Sequence, residues 1–258
     1  MTRLIAGGLA LAAGLLAPAA EAQTVKPTVV LVHGAFADSS SWNGVITILE
    51  RDGYKVIAAP NPLRGVRTDA NVVADLVKSL DGPVVLVGHS YGGSVISEAA
   101  FRQPNVKALV FVAAFAPDDG ETALGLTGKF PGSTLGPTLA PPVNLTPGGK
   151  DLYILQGRFH DQFAADLSEA AANLMAAGQR PVAETALSEA STAPAWRATP
   201  SWFIYGDKDK NIPPAAMAFM AERARSKQTV VVQGASHVVM VSHAPEVAGL
   251  IERAATAR

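Results

Sequence analysis

Hydrophobic positions along the chain fall into two alternating kinds of run. Residues 28–33, 54–59, 83–88, 106–112, 202–205 and 229–232 are short, rich in valine and isoleucine, and several are apolar throughout. Between them, residues 45–51, 69–80, 94–102, 214–225 and 245–255 are each near helical length. Unbroken apolar strands suit a parallel sheet covered by helices on both faces. The alternation therefore predicts an α/β domain of about six strands, joined by right-handed crossovers. The rhythm stops between about residues 114 and 199. Six prolines and five glycines within 117–147 predict little regular structure there. Phe163, Leu167, Ala170 and Leu174 then fall at helical spacing, closed by Gly178 and Pro181. The stretch reads as an insertion between two strands of the sheet, and long insertions at strand ends commonly cover active sites, so it is expected to be a cap.

The first 22 residues stand apart. Arg3 supplies one positive charge, residues 4–17 are an apolar run, and Ala20-Glu21-Ala22 has the A-x-A form of a cleavage site. That is the pattern of a secretory signal peptide. The run is shorter than the ~20 apolar residues that a membrane span needs, and Pro18 breaks its end. The expectation is a mature domain over 23–258, periplasmic or secreted, with no stable membrane insertion after cleavage.

Composition narrows the chemistry. In 258 residues, 21 Lys and Arg face 22 Asp and Glu, which gives a net charge of -1 and no electrostatic footprint for nucleic acid. The chain has no cysteine, so disulfides, thiolate zinc sites and a cysteine nucleophile are all excluded. His160-Asp161 is only a pair, too little for a metal site. Gly88 to Gly93 lacks the Lys-Ser/Thr of a phosphate loop, and the dinucleotide fingerprint is missing. No cofactor is implied.

The strongest chemical signal is Gly88-His89-Ser90-Tyr91-Gly92, a G-x-S-x-G placed between an apolar strand and a helical stretch. In that setting the pattern predicts a nucleophile elbow, with Ser90 on a strained turn at a helix N-terminus and small residues at 88 and 92 admitting neighbouring backbone. A serine hydroxyl needs a base within hydrogen-bond reach, held by a carboxylate. Of five histidines, His33 ends the first strand, His89 is the variable residue of the elbow, His160 lies in the cap and His243 approaches the final helix. His237, in Gly234-Ala235-Ser236-His237 just after the last strand, stands at the same carboxyl edge as Ser90 and is the candidate base. The acid is expected on the loop after residues 202–205, because parallel strands deliver their following loops to one edge. Spacing alone leaves Asp207 and Asp209 open.

The order Ser90, Asp, His237 with this elbow resembles the α/β-hydrolase superfamily over essentially the whole mature chain. That family's Gly-x-x-Asp-x-x-Ile/Val-Pro pattern matches Gly206, Asp209, Ile212 and Pro213, so the resemblance favours Asp209. Its oxyanion loop, His-Gly-x with a later Trp, matches His33, Gly34, Ala35 and Trp42, which implies that the backbone N–H groups of Ala35 and Tyr91 hold the oxyanion. His33-Gly34-Ala35 together with Met240, Ser242 and Pro245 resembles the small carboxylesterases that include plant methyl esterases and hydroxynitrile lyases. With no clear strand ahead of Thr28, the sheet should take the shorter six-stranded form.

The resemblance implies a serine hydrolase that cleaves a small carboxylic ester through an acyl-enzyme, with a small molecule as its partner. Phe36 is expected to bind substrate, and Phe115, Leu124, Leu126, Phe159, Phe163 and Trp196 are available to line an apolar pocket. Ser90 excludes the dehalogenases and epoxide hydrolases of the superfamily, which need Asp at the elbow. Cofactor-free haloperoxidase or perhydrolase chemistry and a non-catalytic receptor share the scaffold as alternatives. Lyase chemistry would want a lysine after the base, where this chain has Val238.

Overall fold

A computed structural model describes residues 25–257; the signal peptide expected over residues 1–22 lies outside the described residues. The strands in chain order are β1 (Thr28–Val32), β2 (Val56–Ala59), β3 (Val84–His89), β4 (Val106–Val112), the short β5 (Val143–Asn144), β6 (Lys150–Leu152) and β7 (Val182–Ala183), then β8 (Ser201–Gly206) and β9 (Thr229–Val232). Six of them form one parallel sheet in the order β2-β1-β3-β4-β8-β9. The strands that the apolar runs predicted are the strands of this sheet, and the class is α/β as expected. Every residue of β1, β3 and β8 is buried, whereas β9, at the edge, alternates between exposed and half-buried. Continuous apolar sequence thus marks strands with two covered faces.

The covering helices are α1 (Asn43–Arg51), α2 (Val66–Lys78), α3 (Tyr91–Ala99), α8 (Pro214–Arg223), α9 (Val239–Ser242) and α10 (Ala244–Thr256), and the helices numbered between the third and the eighth lie in the insertion. Helix α10 packs on α1 and lies along β3, β4 and β8, while α3 packs on α2 and lies along β1, β3 and β4. The chain leaves β1 for β2 on one side and then places β3 on the other. The loops that follow β1 and β3 therefore diverge above the same pair of strands, the point at which open α/β sheets form their crevice.

Between β4 and β8 the insertion departs from two expectations. Residues 117–147 are not irregular throughout: α4 (Ala123–Lys129) forms there, because the prolines flank it and the Thr122 hydroxyl caps it by accepting from Gly125 N–H at 2.8 Å. The single helix expected through Phe163 and Leu174 is two. Helix α5 (Gln156–Phe163) ends at Phe163, Leu167 sits in a turn, and α6 (Glu169–Gly178) restarts behind a Ser168 cap. The Leu167 carbonyl pairs with the His160 imidazole at 2.9 Å, which holds the break. Leu174 accordingly points outward and is 77% exposed. Strands β5, β6 and β7 make a small antiparallel sheet, and α7 (Glu184–Ser188) follows it.

Candidate active site

Ser90 follows β3 directly and starts α3 with φ 53° and ψ -123°, a left-handed conformation that costs a serine ~1–3 kcal/mol. The turn is clamped from three directions. Ser90 N–H donates to the Val112 carbonyl at 3.2 Å, and the Ser90 carbonyl accepts from Gly93 at 3.0 Å and Phe115 at 3.1 Å. Close approach of backbone explains the small residues: a Cβ on Gly88 would stand 2.5 Å from the Gly92 carbonyl oxygen, and one on Gly92 would stand 2.5 Å from that of Val32. Gly93 is equally constrained, packed against the Phe115 carbonyl, a need that the G-x-S-x-G pattern does not express.

Asp209, on the loop after β8, is buried and uses both oxygens. Its Oδ1 accepts from the N–H groups of Asn211 at 2.7 Å and Ile212 at 3.0 Å, and its Oδ2 pairs with His237 Nδ1 at 2.6 Å. Both side chains are shielded from solvent. Asp207 does something else: its carboxylate accepts from Gly234 N–H at 2.6 Å and ties the β8 loop to the β9 loop. The structure therefore brings Asp209 to His237 and leaves Asp207 in a turn. His237 and Ser90 line one cavity of about 660 Å³, together with Ala35, Phe36 and Tyr91.

The loop after β1 supplies the remaining polarity. His33 Nδ1 pairs with the Gly34 carbonyl at 3.0 Å, its Nε2 accepts from Asn61 N–H at 3.3 Å, and the Asn61 amide donates to the His33 carbonyl at 2.7 Å. Phe36, at φ 60°, donates its N–H to the Arg180 carbonyl of the insertion at 3.1 Å. Among the described residues, no backbone carbonyl accepts from Ala35 N–H. Tyr91 N–H heads α3 and lacks an intrahelical partner by position. Ala35 and Tyr91, the residues that the resemblance names as oxyanion donors, both line the cavity.

Behind these groups lies an aromatic wall. The His89 ring sits 4.8 Å from that of His237, and its Nε2 donates to the His237 carbonyl at 3.1 Å. Phe163 packs edge-on against His237 at 4.9 Å and against Phe36 at 6.2 Å. Burial first, and then the neighbouring His237, pushes the His89 imidazole well below its usual range, so it stays neutral. The His33 imidazole is lowered as well, mainly by burial.

Sequence reasoning places Phe36, Phe115 and Leu124 at the cavity, and the structure does too, but four further residues go elsewhere. Phe159 and Phe163 pack against each other, rings tilted at 41° with centroids 4.9 Å apart, and neither lines the cavity. Leu126 faces the core, and Trp196 donates its indole N–H to the Pro117 carbonyl at 2.8 Å, at the base of the insertion. The wall comes instead from the proline-rich segment, with Leu135, Leu139, Pro141 and Pro142, and from Leu152 and Leu187.

Asp69 is a further participant that sequence reasoning missed. It is fully buried in α2 and accepts from the Tyr91 phenol at 2.9 Å and from Arg64 N–H at 3.1 Å. Burial raises its carboxyl above the ordinary range and raises the Tyr91 phenol further still. In sequence Asp69 is an ordinary acid in the first turn of a helix, and only the packing of α2 on α3 gives it a partner.

The chain belongs to the alpha/beta hydrolase family, whose model matches residues 29–250. It is 32% identical over 113 residues to a carbendazim hydrolyzing esterase of Nocardioides sp. (strain SG-4G), covering 39% of this chain and 47% of that protein. It is 33% identical over 129 residues to methylesterase 8 of Arabidopsis thaliana, covering 45% of this chain and 47% of that one. These matches span about half the length of the curated relatives. Among solved structures, polyneuridine aldehyde esterase superposes with a TM-score of 0.76 at 21% identity, over 88% of this chain and 98% of that one, a likeness of fold.

Proposed function

We propose that the chain hydrolyses a carboxylic ester through an acyl-enzyme. Ser90 Oγ attacks the ester carbonyl while His237 Nε2 takes its proton. The tetrahedral oxyanion is held by the N–H groups of Ala35 and Tyr91, and the proton passes to the departing alcohol. Water then repeats the sequence on the acyl-Ser90 ester, with His237 again as base. Asp209 fixes the imidazole through Nδ1 and stabilises the imidazolium that forms at each proton transfer. The observation that carries this reading is the buried 2.6 Å pair of His237 and Asp209 on the cavity that also holds Ser90 at a strained elbow. The esterase names of the curated relatives support the same chemistry.

The test is p-nitrophenyl ester hydrolysis by purified variants. Ser90→Ala should lose turnover by ~10⁴–10⁶ with the fold retained. Asp209→Asn should lose ~10³ or more, because the amide cannot stabilise the imidazolium, while Asp207→Asn, which disturbs only the Gly234 turn, should lose far less. Near-normal turnover in Ser90→Ala rules the mechanism out, and an exchange of the two aspartate effects assigns the acid to Asp207.

A further inference from the structure

The cavity holds more wall than a small ester can cover. Its volume of about 660 Å³ lies within the range that accommodates drug-sized ligands, roughly 300–1,000 Å³. Beyond the reacting groups, the surface is made by Phe115, Leu124, Leu135, Leu139, Leu152 and Leu187. Asn211 also faces it, with its amide tied to the cap: Oδ1 accepts from Gln162 Nε2 at 3.1 Å and Nδ2 donates one hydrogen to the Gln162 carbonyl at 3.3 Å. Among the described residues, no lysine or arginine lines the cavity, and Glu184 is the one carboxylate that does. Lys150 Nζ lies 3.5 Å from Glu184, with both side chains about half exposed, so solvent screens that pair.

We propose that the site takes esters with a bulky apolar body and no negative charge, and that Glu184 contributes to the rejection of anions. The proposal rests on the hydrolase reading above and names its substrate class. A large apolar body displaces water from the leucine wall, a gain that an acetyl group forfeits. A carboxylate carried into the same space loses hydration and meets no lysine or arginine among the lining residues.

The experiment compares kcat/KM for p-nitrophenyl acetate, butyrate, hexanoate and octanoate at concentrations below micelle formation. It adds a p-nitrophenyl ester of matched length that ends in a carboxylate. Burial at about 0.8 kcal/mol per methylene corresponds to roughly fourfold per carbon, so the six methylenes that separate octanoate from acetate, if all are buried, should raise kcat/KM by on the order of 10³-fold. The carboxylate-ended ester should run at least ~10-fold below its neutral counterpart, and Glu184→Gln should narrow that gap severalfold at low salt. Leu124→Trp, at a position 62% exposed and able to accept bulk, should lower the octanoate-to-acetate ratio. An optimum at acetate with turnover that still needs Ser90 overturns the substrate class alone. Equal rates for the charged and neutral esters overturn the charge rule, and a gap unchanged in Glu184→Gln removes Glu184 from it. Absence of Ser90-dependent turnover on every ester overturns the hydrolase reading and this proposal with it.

Discussion

His33 and His89 are buried in the fold, and burial lowers both imidazoles from their ordinary value of 6.5, His89 the further. In the unfolded chain both titrate near that ordinary value. As pH falls below about 6.5 the unfolded state therefore binds protons that the native state refuses. Stability is fully present above this pH and declines below it, with each histidine adding a slope of up to about 1.4 kcal/mol per pH unit until its folded value is reached. His89→Gln, whose amide can still donate to the His237 carbonyl, should flatten the loss of stability between pH 6.5 and 5 in urea unfolding. Parallel pH profiles for the two proteins would mean that His89 is not a source of the acid sensitivity. At this scale the candidate site was partly legible. Ser90 is announced by a turn that needs small residues at fixed places, Gly88 against the Gly92 carbonyl and Gly92 against that of Val32, so the two glycines mark it in sequence. Asp209 against Asp207 is different: each follows β8, spacing alone does not separate them, and the preference for Asp209 comes from a family pattern, while the fold takes Asp209 to His237 and Asp207 to Gly234. Asp69 left no mark at all, because the phenol that it receives lies 22 residues away on another helix.

Helix α8 joins the two ends of the insertion through one side chain. Arg223 donates to both oxygens of Glu121, at 2.8 and 2.7 Å, and to the Ala116 carbonyl at 2.9 Å, while its guanidinium lies 5.1 Å from the Trp196 ring. The hydrogen bonds from Arg223 hold the Glu121 carboxyl below its ordinary value of 4.5. A depressed carboxyl contributes stability above its unfolded value and loses it as pH falls through the folded one. The pair is partly exposed, so Glu121→Gln should cost only about 1 kcal/mol, or ~2–4 °C in melting temperature at pH 7. That penalty should shrink at pH 3.5 in calorimetry; a penalty equal at both pH values would place the effect in packing rather than charge. Elements of the sheet could be read from sequence because β1, β3 and β8 are covered on both faces and show it in every residue. The insertion could be read only in part, in the helical spacing that ends at Gly178. Its helices are short, α4 contains Gly125 and Gly128, and the break between α5 and α6 depends on a carbonyl reaching His160, none of which leaves a hydrophobic period.

The molecule as a whole is a sheet with a cap laced to it at several points around the cavity. Gln162 of α5 grips the Asn211 backbone neighbourhood by donating to the Lys210 carbonyl at 2.9 Å, and Glu98 of α3 accepts from Ser191 and Ala193 at 2.6 and 2.8 Å. On the other side, Arg64 donates to Asp151 of β6 at 2.6 Å and to the Pro181 carbonyl at 3.0 Å, and Ala183 N–H donates to the Leu63 carbonyl at 2.9 Å. Most of the cavity wall belongs to the cap, while Ser90, Asp209 and His237 belong to loops of the sheet, so the seating of one on the other sets the shape offered to substrate. Arg64 is the charged tie on its side, and its removal leaves Asp151, itself buried, without its cation. Arg64→Ala should therefore cost roughly 1–3 kcal/mol, spent on local opening rather than on the sheet. Hydrogen exchange should register this as lost protection in β6 and β7, with amides of β1, β3 and β4 unchanged. KM for bulky esters should rise as their wall loosens, with a smaller change for acetate. A uniform loss of protection across both layers would mean instead that cap and sheet open as one unit, and that Arg64 supports the whole molecule.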